Sequence, residues 1–148
     1  MVLADTPFLH LSYHAQTDIV QVSWKKKPTV TALQEAYWKV LNFGIEQKTL
    51  RLICTDLTQS GSLDREQEAW LVNVYYKQVY KFVQEEIFVA VVFSEEHFKA
   101  IVNNYQLSIS EPAHEFIQLH YFTSSKQAFH WLSYIKEGQD KTLLQISS

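Results

Sequence analysis

One cysteine, one methionine, three glycines and three prolines are all that the 148 residues contain of those types, and each shortage excludes something. A lone cysteine cannot form an intrachain disulfide, and Cys54, inside Leu50-Arg51-Leu52-Ile53-Cys54, reads as a buried small hydrophobe. The glycines build neither a Gly-rich phosphate loop nor a Gly-x-Ser-x-Gly elbow, and no His-Glu-x-x-His occurs. No low-complexity linker divides the chain. No apolar run approaches the roughly 20 residues that span a bilayer. The N-terminus lacks a basic stretch followed by an apolar segment, so no membrane insertion and a cytoplasmic location are expected. The net charge of −3 is small, and Lys25-Lys26-Lys27 is the one basic cluster, which excludes the electrostatic footprint of a nucleic-acid binder.

The histidines carry no ligand spacing. His10 and His14 share a strand face, yet residues four apart on a strand lie about 13 Å apart, too far for bonds near 2 Å to one ion. His120 and His130 have no spaced partner. No metal and no cofactor are therefore expected. Asp56, Glu95 and Glu96 could meet a serine at the strand ends, but no nucleophile, base and orienting group are specified together. No catalytic residue is assigned, and the expectation is a chain that is not an enzyme.

What the chain has is apolar and aromatic residues, 47% and 14%, enough for one domain that buries about 68–70% of its unfolded surface. Phe8 to His14 and Ile19 to Lys25 alternate at period two around a turn at 15–18, which predicts a β-hairpin. After Pro28 the period becomes helical. Thr31 and Gln34 form a capping box, and Leu33, Ala36, Tyr37, Val40, Leu41 and Gly44 recur on one face to about Lys48. Leu50 to Asp56 is a short strand, 62–84 a long helix, and Glu86 to Phe93 a strand apolar on both faces and so central. Ser94 caps a third helix that ends near Asn103-Asn104, and 106–115 is loop. Phe116 to Phe122 is the last strand, and Ser124 with Gln127 opens a helix that Gly138 stops. The fold class is a single α/β domain, β-β-α-β-α-β-α-β-α, over residues 1–138. Its sheet is five-stranded and mostly parallel with an N-terminal antiparallel hairpin strand, and 139–148 is a flexible tail.

The long helix holds more apolar surface than one core uses. Trp70, Val74, Tyr75, Gln78 and Phe82 form one stripe, and Val72, Tyr76, Val79 and Val83 another, where a helix on a sheet needs a single stripe roughly 100° wide. Either the first helix or the 106–115 loop covers the second stripe, or aromatic side chains stay exposed as an interface. The candidate interface is Trp70, Tyr75, Tyr76, Val79, Tyr80 and Val83, suited to a two-fold homodimer. The strand ends are rich in hydroxyls: Thr58, Ser60 and Ser62 form a candidate phosphorylation or anion site, and Asp56, Ser94 and Ser124 a strand-end polar site. Serines there also serve as ordinary N-caps.

Certain residues carry a resemblance. A hairpin ending Val22-Ser23-Trp24-Lys25, a strand ending Thr55-Asp56-Leu57, a Ser60-Gly61-Ser62 turn, Glu68-Ala69-Trp70-Leu71, and Tyr121-Phe122-Thr123-Ser124 followed by Ala128-Phe129-His130-Trp131-Leu132 make the chain similar to the STAS-type anti-sigma-factor antagonists, in their diverged SpoIIAA-like branch. In signalling members an Asp-Ser-Ser-Gly loop holds a serine whose phosphorylation blocks partner binding. Here Ser60-Gly61, preceded by Gln59, is the nearest match. The resemblance implies a non-enzymatic protein-interaction module with itself and a regulatory protein as partners. A binder of a small apolar, lipid-like ligand is the alternative, since that branch shares its architecture with lipid-binding domains, and a small hydrolase stands third.

Overall fold

A computed structural model describes residues 1–48, 50–99 and 116–147, with side chains as far as Gly138. The chain forms β1 (Val2–Asp5), β2 (Leu9–His14), β3 (Ile19–Trp24), α1 (Val30–Gln47), β4 (Leu52–Asp56), α2 (Arg65–Trp70), a π-helical turn (Leu71–Tyr75), α3 (Tyr76–Val83) and β5 (Ile87–Val92). Helical residues 95–99 (α4) follow, then β6 (Ile117–Phe122) and α5 (Ser125–Ser147). The expected ends of the third helix and the expected loop at 106–115 lie outside the described residues.

The strands form one six-stranded sheet in the order β1-β2-β3-β4-β5-β6. β1, β2 and β3 pair antiparallel, and β3 through β6 pair parallel. The sequence reading had five strands and lacked β1. Four residues are too few to show a period, and β1 is held by what it meets. The Met1 amino group donates to the Tyr13 carbonyl, and Lys25 binds Asp5 at 2.8 Å. A register shift between Val2 and Ala4 breaks the ladder at this edge, the kind of bulge that blunts a free strand.

Period-two alternation sorts the sheet into two faces. On one, Leu9, Leu11, Val20, Val22, Trp24, Ile53, Ile87, Val89 and Ile117 pack against Leu33, Tyr37 and Val40 of α1 and against Leu71, Tyr75, Tyr76 and Val79 of the long helix. On the other, Ile19, Leu52, Cys54, Ala90 and Val92 meet Ala128 and Leu132 of α5. Each βαβ connection advances one strand along the sheet, and a constant right-handed crossover puts its helix on the same side.

The helix ends differ from the expectation in three places. α1 is capped by Thr29, whose Oγ1 accepts the Ala32 N–H at 3.1 Å, so the Thr31–Gln34 box does not form. Pro28 fixes the chain just before Thr29, so the helix is capped two residues earlier than the Gln34 signal suggested. The long helix begins at Arg65 rather than Ser62. Asp64 is its cap, its N–H donates to Gln67 Oε1 at 3.0 Å, and the buried Gln67 donates in turn to the Pro28 carbonyl at 2.9 Å. Gly138 does not stop α5, whose backbone stays helical to Ser147. Glycine inside a helix costs only about 1 kcal/mol, and nothing at this position demands a left-handed turn.

α5 holds the second face of the sheet through few residues. Leu132 is fully buried there among Ile19, Leu52 and Val92. Leu132→Ala is expected to cost about 3 kcal/mol of unfolding free energy, measured by urea titration. A loss below about 1 kcal/mol would show that α5 is not docked on that face.

Candidate functional site

The parallel register aligns the strand ends. Asp56 of β4 lies beside Val92 of β5, and Val92 beside Phe122 of β6. The pairing runs one residue further, with Leu57 N–H donating to the Val92 carbonyl and Phe93 N–H to the Phe122 carbonyl. Thr58, Ser94 and Ser124 each stand two residues past these aligned positions, so the hydroxyls predicted from sequence share one edge of the sheet.

Each is engaged locally. Asp56 Oδ1 accepts both the Thr58 N–H at 2.9 Å and the Thr58 hydroxyl at 2.7 Å. Ser60 Oγ donates to the Gly61 carbonyl at 3.0 Å. Ser94 Oγ accepts the His97 N–H at 3.3 Å, and Ser124 Oγ the Gln127 N–H at 3.4 Å. Ser94 and Ser124 therefore act as N-caps. A residue the sequence reading missed completes the edge: the His97 imidazole accepts the Ser62 N–H at Nε2, 3.1 Å away, and lies against Gly61. Its only sequence signal was its place three residues after Ser94.

Charge at this edge disfavours an incoming anion. The position a phosphate would take at the N-terminus of α2 is filled by the Asp64 carboxylate, which pairs with Lys27 at 2.7 Å, and Glu66 and Glu68 occupy the first turn. Lys27 is thus already engaged, and the helix dipole is satisfied by the chain's own acids.

The long helix resolves its two stripes internally for the most part. A π turn at Leu71–Tyr75 leads into the adjacent Tyr75 and Tyr76, and both face inward. Tyr75 lies 4.9 Å from Tyr37, 5.7 Å from Trp38 and from Trp70, and 5.4 Å from Tyr76, ring centre to ring centre. Tyr75, Tyr76 and Val79 are buried, so they drop out of the candidate interface. The first helix covers part of the Trp70–Tyr75 stripe through Trp38, which meets Trp70 edge-on at 5.4 Å and lies 5.7 Å from Tyr75. What stays outside is Trp38, 36% exposed, and Val74, 41% exposed, with Trp70 half-buried between the two helices. Tyr80, 40% exposed, packs on Phe116, and Val83 is half-buried.

At the opposite end of the sheet a groove of about 230 Å³ has Leu50, Phe82 and Val83 as its apolar floor and Asp18, Lys48, Arg51 and Glu85 as its rim. This is smaller than the roughly 300–1,000 Å³ of ordinary ligand pockets and too charged for an apolar ligand. Among the described residues no three His, Cys, Asp or Glu side chains group as metal ligands, and no helix is long and apolar enough to cross a membrane.

No protein-family model, curated protein or solved structure matches the chain.

Burial sets the chemistry of the core acids. It pushes the Cys54 thiol up to about 12, with Asp56 adding to the rise, and it raises the Tyr37, Tyr75 and Tyr76 phenols. The unfolded thiol ionises near its ordinary 9.0 while the folded one stays protonated. Stability is therefore full below pH 9 and falls as pH rises from 9 towards 12. Cys54 should not react with a disulfide exchange reagent at pH 8 until urea unfolds the chain, since only the thiolate attacks. Rapid native labelling would overturn its burial. Tyr75 Oη is buried without a hydrogen-bond partner among the described residues, so Tyr75→Phe should leave stability within about 0.5 kcal/mol of wild type or raise it. A loss above about 1 kcal/mol would reveal a hydrogen bond to that hydroxyl.

Proposed function

We propose that this chain is a non-enzymatic interaction module of the STAS-like type, self-associating through the exposed part of its long helix. The observation that carries the reading is the strip formed by Trp38 of α1, Trp70 of α2 and Val74 of the π turn that follows it. Tryptophan that remains accessible after the core is filled is the residue type most enriched at interface centres. The strip starts within about two turns of the hydroxyl-rich edge, so a partner seated on it also meets the 56–62 loop. A two-fold contact uses the strip twice, which suits a patch shorter than one helix.

The loop then supplies regulation. Thr58 is exposed and its hydroxyl faces a carboxylate at 2.7 Å. A phosphoryl group there would be repelled by Asp56 and would break the turn that Asp56 holds. The resemblance to the antagonist family supports modification in this loop, although the effect expected here is disruption rather than a new anion contact. The lipid-carrier reading has less support, because the groove between Leu50 and Phe82 is rimmed by four charged side chains.

At about 100 μM, where a micromolar dimer is mostly assembled, the wild-type chain should sediment near twice its 17.4 kDa mass. Trp70→Glu and Val74→Glu should return it to monomer with an unchanged circular dichroism spectrum. A monomeric wild type, or a dimer indifferent to both changes, overturns the reading. Tyr76→Glu does not test the interface, since a charge in that fully packed position unfolds the chain.

A further inference from the structure

The hydroxyl-rich loop is tied to the next strand-to-helix connection by an imidazole. His97 sits on the first turn of α4, with its N–H held by Ser94 Oγ at 3.3 Å and the turn closed by Phe98 N–H on the Ser94 carbonyl. Its ring stacks on Phe93, nearly parallel at 12°. Its Nε2 accepts the Ser62 N–H at 3.1 Å. The flat ring also needs the absence of a side chain opposite: a Cβ built on Gly61 would stand 3.3 Å from His97 Cε1, and Gly61 has φ +80, where glycine is favoured. Three features of the sequence thus converge on one ring: an aromatic wall, a glycine and a donor amide.

We propose that His97 is a protonation-sensitive latch on the 57–62 loop. The bond requires Nε2 to be an unprotonated acceptor, so the neutral ring must carry its proton on Nδ1. Once both nitrogens carry protons, two donors face each other, and the Ser62 N–H loses its partner. No other ionisable group lies on residues 57–63 to compensate. The flanking acids are engaged, Asp56 with Thr58 and Asp64 with Lys27. Phe93 offers only its ring, with Tyr121 stacked on it. On the histidine's own turn the charged groups are Glu95, Glu96 and Lys99. The loop that carries Thr58, Ser60 and Ser62 is therefore closed while the ring is neutral and released once it is protonated. The latch stands whether or not the tryptophan strip is an interface.

Backbone hydrogen exchange on the full chain tests this, read as the protection factor of the Ser62 amide with the chemical pH dependence of exchange divided out. In wild type the protection should fall about tenfold per pH unit below the imidazole midpoint, in step with the His97 ring shifts. His97→Gln offers an amide oxygen as a pH-independent acceptor and should keep the Ser62 amide protected from pH 8 to pH 5. His97→Leu should leave it unprotected throughout. Identical pH profiles in wild type and His97→Gln overturn the proposal, as does full protection in His97→Leu at pH 8.

Discussion

The position of Tyr75 is the constraint from which the rest of the helical layer follows. Its ring touches Tyr37 and Trp38 of α1 and Trp70 and Tyr76 of its own helix, so two helices are locked together by one side chain above the sheet. Adjacent residues of a helix stand about 100° apart, and Tyr75 and Tyr76 both point inward, as Ala36 with Tyr37 and Val40 with Leu41 do on α1. The turn that leads into this pair is π-helical, Leu71–Tyr75. Its cost in backbone geometry is offset by two buried rings, and aromatic pairs contribute about 0.5–1.5 kcal/mol each beyond their area. The same packing leaves Trp38 and Val74 outside, because a cluster that fills the space between two helices cannot also cover their outer flanks.

The sequence legibly carried those elements whose period was long enough to count. β2 and β3 alternate over six residues each, and α1 shows its buried face at every expected position, from Leu33 to Gly44. β1 was illegible because four residues hold no period, and its pairing depends on β2 being already in place. The α1 cap was misread by two residues, since Thr29 and Thr31 carry the same side chain and only the placement of Pro28 separates them. The long helix was recognised as having two apolar stripes, but simple angular projection assumes a constant turn. Nor does it tell which stripe the rest of the chain covers, so the buried Tyr75 and Tyr76 were assigned to an interface.

The strand-end residues were found because α/β topology puts them there, and their roles were not. Whether Asp56, Ser94 and Ser124 form one site or three caps depends on hydrogen bonds within two or three residues of each, and these local bonds win: every one of the three faces its own backbone. Helix dipoles drew attention to Thr58, Ser60 and Ser62 as an anion site. The first turn of α2 already holds Asp64, Glu66 and Glu68, so the dipole is satisfied from within. His97 was passed over because the contact that gives it a role, to Ser62, spans 35 positions along the chain.

The histidines of β2 illustrate how coverage, rather than ligation, can place polar residues. Six strands about 4.8 Å apart make a sheet about 24 Å wide, whereas a helix with its side chains is about 10 Å across. Among the described residues α1, the long helix and α4 pack over one face and α5 over the other. Apart from Ile19, which lies under α5, the residues of β2 and β3 that point to that side are compatible with water: His10, Ser12, His14, Gln21 and Ser23. They satisfy one another, with His14 Nε2 on Gln21 Oε1 at 2.9 Å, Gln21 Nε2 on Ser23 Oγ at 3.0 Å, and His10 against Asp5 at 3.3 Å. Where α5 begins its cover, His14 meets the Phe129 ring edge-on at 5.1 Å, and further across the sheet the polar positions give way to Leu52, Cys54 and Ala90. The polar-to-apolar gradient along that face thus follows the footprint of a single helix, and the alternation of β2 is its trace in the sequence.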